Sequence, residues 1–447
     1  MLKKFFALIV LVVLALGVVS AQDESQFADV ALDGVTVTYW HEWTGNQATA
    51  ITEIIALFNE TNEYGITVEE VALGGGGEVS RQVAAGILSG ELPNIAGDAF
   101  VSTAKSYFIE EVLVPLDQFY GDAVYGFSEE ELADLNQQLL DVNRPVEEPY
   151  NGALLSWPVG QSLNVLSVNM DMLAELGYDA PPADLAAFEE VACAAAELSR
   201  EDGGDVQGFP IRTDAFDFYS FVKAQGGELF NEETQTYTFT DEATISVLTT
   251  FQNMFNNGCA YIPDGPFVNT ADFAFGLNPM ALGSSAGIPF IQGDINTSES
   301  GIENWIMTTV PWSEGNRALQ VFLRSNAILV STPEQELASW VFLKFLASTE
   351  AQVTWTEATN YIPYTFSGLE GLSPEFFEAT PQFQQIRDLA LSEDVQLWSA
   401  PAHAGSNQVA EVVSNMIVEV TTGGRDAAEA AAEAETRANE IVEENAQ

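Results

Sequence analysis

From Val35 onward the chain switches repeatedly between two hydrophobic rhythms, and that switching narrows its possible folds more than any other feature. Val35-Thr-Val-Thr-Tyr-Trp40 is rich in β-branched and aromatic residues and predicts a buried strand. Asn46 then opens a stretch in which Ile51, Ile54, Ile55 and Phe58 recur at helical spacing, one apolar stripe. Ile66–Val71 predicts a second strand and Glu78–Leu88 a second helix, followed by a short strand near Asn94–Ala96 and a helix around Thr103–Phe108. Strand and helix in alternation predict a parallel sheet covered by helices. A second block of the same kind follows Trp157-Pro158, with strands expected at Leu163–Val168 and Phe209–Arg212 and helices at Asp171–Gly177, Asp184–Ser199 and from Phe239 to Asn257. A third block is helical, carried by Ala338, Val341, Phe342, Phe345 and Leu346, and by Val409, Val412, Val413, Met416, Ile417 and Val420.

Size makes more than one core necessary. A chain of 447 residues exceeds what one hydrophobic core holds, so two α/β units joined by several crossovers are the simplest architecture. Charge removes whole classes of function. Lys and Arg number 14 against 66 Asp and Glu, a net charge of −52. Phosphate backbones and anionic lipid surfaces are bound through clustered cations, so neither nucleic acid nor a membrane headgroup is an expected partner. With 47% of residues apolar, disorder is excluded as well.

The amino-terminal segment carries an address. Lys3 and Lys4 precede an apolar run from Phe5 to Val19 that ends at Val19-Ser20-Ala21, the layout of a cleavable secretory signal over residues 1–21. The run is too short to span a bilayer, and no cysteine lies nearby to accept a lipid. The mature protein is therefore expected outside the cytoplasm. There, Cys193 and Cys259 are expected to form a disulfide, closing a loop of about 65 residues worth ~4 kcal/mol in chain-entropy terms. Two small buried hydrophobes are the alternative.

Several landmarks occur in a specific order: Val37-Thr-Tyr-Trp-His41; Ala84-Ala-Gly-Ile-Leu-Ser-Gly-Glu-Leu-Pro-Asn-Ile95; Leu155-Ser-Trp-Pro158 leading to Leu166-Ser-Val-Asn169; Gly283-Ser-Ser-Ala-Gly287; Ala327-Ile-Leu-Val330; and Asn360-Tyr-Ile-Pro363. Through them nearly the whole mature chain resembles the solute-binding proteins of sugar-type ABC importers, the maltose-binding-like group that includes glycerol-3-phosphate binders. The resemblance implies a two-lobed α/β fold of the type II periplasmic-binding kind, with three interlobe crossovers and ligand held in the cleft. Carried onto this chain, the crossovers fall near 160–164, 319–326 and 362–366. Lobe one is then 26–160 plus 326–362, and lobe two 161–325 plus 363–447. Hinge closure would stabilise the closed state, because only that state desolvates ligand from both sides, and a membrane permease would receive the loaded form. A monomer without a cofactor is expected.

Candidate ligand contacts follow from the carboxyl ends of the strands and from the resemblance. Trp40, His41 and Trp43 sit after the first strand, where flat rings stack on sugar C–H faces and polar groups bond hydroxyls. In the family pattern Asp98 and Phe100 face the same cleft, with a helix-capping role as the alternative for Asp98. The loop Gly74–Gly77 lacks the Lys and the spacing of a nucleotide motif. Trp157 and Ser162 flank the first crossover. Phe216, beside Asp214, Asp217 and Phe218, fits either a cleft wall or the core. Ser284 and Ser285 match the family's small-residue ligand loop, and Tyr361 lies where a family tyrosine enters the cleft. Trp398, His403 and Asn407 precede the late helix. Arg324 offers a bidentate anion contact at the second crossover. An uncharged polyol is nonetheless expected over a phosphate ester, because cations are so few. A secreted glycosidase is the rival class, since it needs only two carboxylates across a cleft. No nucleophile elbow, zinc-binding His-Glu-x-x-His or Cys/His cluster occurs, so no catalytic residue and no metal ligand is assigned.

Overall fold

A computed structural model describes residues 25–445 apart from 76, 147–148, 203–204 and 404. The expected signal segment lies outside the described residues. One mixed sheet organises the molecule. Its strands are β1 (Thr36–His41), β2 (Thr67–Ala72), β3 (Ile95–Ala99), β4 (Trp157–Asn169), β5 (Met280–Ser284), β6 (Trp305–Thr308), β7 (Ala318–Ile328) and β8 (Gln396–Trp398). They run in the order β6-β4-β7-β3-β1-β2, with β5 also on β4 and β8 on β7.

The first block forms as its rhythm predicts. β1 pairs in parallel with β2 on one side and β3 on the other. The helix Gly45–Thr61 between β1 and β2 buries Ile51, Ile54, Ile55 and Phe58, the stripe visible in the sequence. The helix Glu78–Ser89 links β2 to β3.

The second block departs from a parallel sheet. β4 is thirteen residues long and buried throughout. Its first half pairs antiparallel with β7, Trp157 to Leu163 against Asn326 to Val321. Its second half pairs antiparallel with β5 and β6. A strand that passes straight from one block into the next needs no helical crossover, so its later neighbours are free to run against it. The strand expected over Phe209–Arg212 shortens to Phe209–Pro210, parallel to Ala260–Tyr261. Pro210 has no N–H to offer a further strand on its other side, which confines this pair to itself.

Two large cores lie along the sheet. One gathers the helices Gly45–Thr61, Pro333–Phe345 and Thr349–Thr359 around β1 and the first half of β4. The other gathers Leu185–Asp202, Ala215–Ala224, Glu242–Asn256, Ser406–Thr421 and Ala427–Asn445 around the end of β4 and β5. Three segments run side by side between them. Gly160–Leu163 of β4 lies against Val321–Arg324 of β7 on one flank. On the other flank Gln161 and Ile362 exchange both backbone hydrogen bonds, at 3.2 and 2.7 Å. Cys193 and Cys259 are joined, with Cα atoms 4.6 Å apart, fastening the helix Leu185–Asp202 to the edge of the Ala260–Tyr261 strand. Chain packing is tight there: a Cβ on Gly208, which has φ +88°, would sit 2.0 Å from the Cys259 carbonyl oxygen. Among the described residues no helix is long and apolar enough to cross a membrane.

Candidate functional site

The parallel strands β1, β2 and β3 end at one edge, and an open α/β sheet presents its ligand groups at that edge. Glu42 and Trp43 leave the end of β1, and Asp98 and Phe100 end β3. On the neighbouring β7, buried Val321 and Leu323 alternate with half-buried Phe322 and Arg324, so the latter two share one face.

That face and the sheet edge meet at Arg324. Its Nη1 lies 2.7 Å from Glu42 Oε1, with the glutamate side chain 6% and the arginine 26% exposed. The guanidinium carbon lies 4.0 Å from the centre of the Phe100 ring. Asp98, 3% exposed, accepts a 2.8 Å hydrogen bond at Oδ2 from the Ser80 amide in the first turn of the helix Glu78–Ser89. It thus caps a helix other than the one that follows it. Its Oδ1 is buried without a partner. Burial pushes both carboxyls up from their ordinary values. Arg324 holds each partly down, and the nearby Asp98 raises Glu42 further.

Aromatic side chains close the back of this patch. Trp43 packs edge-on to Trp355, ring centres 4.9 Å apart, and to Tyr361 at 6.0 Å. Burial raises the Tyr361 hydroxyl, Arg324 lowers it and Glu42 raises it, which places all three groups within one electrostatic neighbourhood. Gly160, opposite Arg324 on the ladder, makes this closeness possible: a Cβ there would meet Trp355 Nε1 at 2.6 Å and Tyr361 Cβ at 3.0 Å. Trp355 Nε1 is itself buried without a partner.

The patch continues across the joining strands. Ser162 stands opposite Phe322, and Phe322 meets the Phe216 ring edge-on at 6.0 Å. Phe216 is 38% exposed at the start of the helix Ala215–Ala224. Beside it opens a cavity of about 390 Å³ lined by Arg212, Asp214, Phe216, Pro263, Pro266 and Glu411. This is the carboxyl end of the short parallel pair, so the second block offers its strand ends toward Phe216 as the first does toward Phe100.

Beneath Phe216 a polar network ties the second block to both long strands. Asn164 of β4 donates to Asp217 Oδ1 and to Ser220 Oγ, each at 3.0 Å, and Ser220 Oγ donates to Gln320 of β7 at 2.9 Å. Burial pushes the Asp217 carboxyl up to about 7; Arg212, 3.3 Å away, opposes this, Asp214 adds to it and the Asn164 bond opposes it. A raised carboxyl stabilises the fold most fully below its unfolded value of 3.8, and the contribution disappears as pH rises through about 7. Between about pH 5 and about pH 8 the native protein is therefore expected to lose about 3 kcal/mol more stability than Asp217→Asn, measured by urea unfolding. Parallel losses would show that Asp217 titrates normally.

Other candidates are placed elsewhere. Trp157 is fully buried in the first core, its ring 5.7 Å from Trp340 and its Nε1 donating to the Tyr364 hydroxyl at 3.0 Å. His41 is 1% exposed, packed on the Tyr39 ring at 5.3 Å and 3.1 Å from Glu70 Oε2; burial lowers it, while Glu70 opposes the shift. Trp40, half-buried, packs against a small third cluster with Val79, Val83 and Ala104. Ser285 Oγ accepts from the Leu163 amide at 3.0 Å, and Ser284 Oγ accepts from Ala286 at 3.2 Å. His403 bonds the Tyr237 hydroxyl at 2.8 Å, and Trp398 packs on the second core. Among the described residues no group of three or more His, Cys, Asp or Glu side chains is placed to hold a metal.

Phe322 and Trp355 join the patch although the sequence reading assigned them no place in it, and Glu42 lies in the Trp40–Trp43 run that the reading placed at the end of the first strand. Alternation along Ala318–Ile328 marks Phe322 and Arg324 as sharing a face. Trp355, midway in Thr349–Thr359, carries no local signal that separates it from an ordinary core residue.

Two α/β blocks are joined by three adjacent strand segments, with polar and aromatic groups collected along them, the architecture of a two-lobed binding-protein fold. A family model described as bacterial extracellular solute-binding protein matches residues 53–385, and the chain belongs to that family. No curated protein matches it. Solved structures with the same two-lobed fold include the GacH receptor of Streptomyces glaucescens, studied unliganded and with acarbose, at 18% identity and TM-score 0.73, covering 91% of this chain and 98% of that one. The sugar-binding protein MalE of Xanthomonas citri is similar at 18% identity and TM-score 0.73, covering 92% and 98%. UgpB of Mycobacterium tuberculosis, in complex with glycerophosphocholine, is similar at 17% identity and TM-score 0.74, covering 92% and 99%.

Proposed function

We propose that this protein captures a neutral sugar or oligosaccharide between two lobes, 26–160 with 326–362 and 161–325 with 363–447, and delivers it to an ABC permease. The observation that carries the reading is the joined patch of Glu42, Trp43, Asp98, Phe100, Arg324, Tyr361 and, across Phe322, Phe216. The exposed rings of Phe100 and Phe216 supply stacking faces for sugar C–H groups, and the carboxylates accept hydrogen bonds from hydroxyls. The protein acts as an exported monomer, led out by residues 1–21. It binds no nucleic acid and turns nothing over; the nearby carboxylates hold ligand. Similarity to sugar-binding MalE and to the acarbose-binding GacH receptor supports this. A second reading, a glycerol-3-phosphate-type ligand, is favoured by one observation, a guanidinium at the centre of the patch.

A thermal-shift and tryptophan-fluorescence panel of mono- and oligosaccharides, polyols and glycerol 3-phosphate decides between them. A neutral saccharide is expected to raise the melting temperature, by about 2.7 kcal/mol of added stability at a hundredfold excess over its dissociation constant. It should also alter emission from Trp43 and Trp355, and chromatography should recover it unchanged. Phe100→Ala and Phe216→Ala should each weaken binding by about tenfold. Product formation would move the protein to the hydrolases, and normal binding by both variants would remove this cleft from the account.

A further inference from the structure

The charge arrangement at the centre of the patch is self-contained. Arg324 presents a planar fork suited to a phosphate, yet Glu42 Oε1 forms an ion pair with its Nη1 at 2.7 Å, though without hydrogen-bond alignment, and the Phe100 ring covers the guanidinium face at 4.0 Å. Asp98 adds a second carboxylate, 3% exposed, with Oδ1 buried and unpartnered. A phosphate ester approaching Arg324 would meet two acids for one cation. It would also have to displace Glu42, leaving a buried carboxylate without its counter-ion, an arrangement that costs several kcal/mol. A vicinal diol meets no such penalty, because its hydroxyls donate to the carboxylate oxygens and accept from the guanidinium while the ion pair stays closed.

We infer that Glu42 is the specificity-determining residue of this site: by holding Arg324 in a closed ion pair it selects uncharged polyhydroxyl ligands and rejects phosphorylated ones. The inference rests on the cleft assigned above and assigns ligand class to one side chain rather than to overall charge. Removing the Glu42 charge should free the guanidinium and turn the site toward anions without altering its shape.

Isothermal titration of native protein, Glu42→Gln and Glu42→Gln/Arg324→Gln with glycerol 3-phosphate, inorganic phosphate and the saccharide found in the panel provides the test. Native protein is expected to bind the saccharide and neither anion. Glu42→Gln should gain at least about tenfold in glycerol 3-phosphate affinity, with the gain falling at high salt, and should lose about tenfold for the saccharide. The double variant should lose the gained anion binding. Matching circular dichroism spectra and melting temperatures certify the fold. If Glu42→Gln does not fold, Glu42→Ala removes the same charge and carries the same expectation. Native protein that binds glycerol 3-phosphate as tightly as Glu42→Gln does overturns the inference, as does a folded Glu42→Gln with the native ligand preference. A native protein that binds no saccharide sinks the sugar-binding reading instead, and the anion comparison between native and variant still decides the role of Glu42.

Discussion

Replacing Trp157 with alanine is expected to destabilise the protein by about 3–5 kcal/mol while leaving the ligand affinity of the folded fraction unchanged. The side chain is completely buried, and its ring is surrounded by Phe127 at 5.2 Å, Trp340 at 5.7 Å and Tyr364 at 5.8 Å. Truncation would open a cavity in close-packed surroundings and would also take from the Tyr364 hydroxyl the 3.0 Å bond donated by the indole. Urea unfolding measures the loss, with Phe216→Ala, a partly exposed ring, expected to cost under about 1 kcal/mol. A Trp157→Ala protein of native stability that no longer binds saccharide would put this residue in the cleft and not in the core.

Reducing the Cys193–Cys259 bond is expected to cost about 4 kcal/mol, the chain entropy returned when a cross-link of sequence separation 66 is removed from the unfolded state. The loss falls on the second core, because Cys259 is fully buried there and Cys193 packs against it from the helix Leu185–Asp202. Denaturant midpoints with and without reductant, and of Cys193→Ala/Cys259→Ala, should fall together. Equal midpoints under both conditions would mean that the two thiols stay unbonded in the folded protein and contribute only as small buried hydrophobes.

The fold was readable wherever a short window carries the whole instruction. Ile51, Ile54, Ile55 and Phe58 announce a helix and its buried face without reference to anything distant, and the structure buries all four. The direction of strands in the second block was not readable, because nothing within Met280–Ser284 records that its neighbour will be a strand entering from the first block. The candidate site divides in the same way. Trp43, after the first strand, was a candidate through the rule that binding groups collect at strand ends, and Phe100 through the resemblance. Trp157 carries the same local signal as Trp43, an aromatic beside a strand, and both rings are buried in the first core; they differ in neighbours, Trp43 packing on Trp355 and Tyr361, and Trp157 on Trp340 and Tyr364. Those neighbours come from distant parts of the chain, so no short window names them.

By itself the sequence determined the alternation of strands and helices, the need for more than one core and the shortage of cations that disfavours polyanionic partners. Those are properties of local spacing and of sums over residues, and they hold however the chain is arranged. Only the tertiary structure decided that Arg324 faces Glu42 and Phe100, that Trp355 fills the space left by Gly160, and that Asp98 caps a neighbouring helix with one oxygen and leaves the other bare. Each of these contacts joins residues far apart in the chain, and its energy depends on burial that exists only after the surrounding elements have packed.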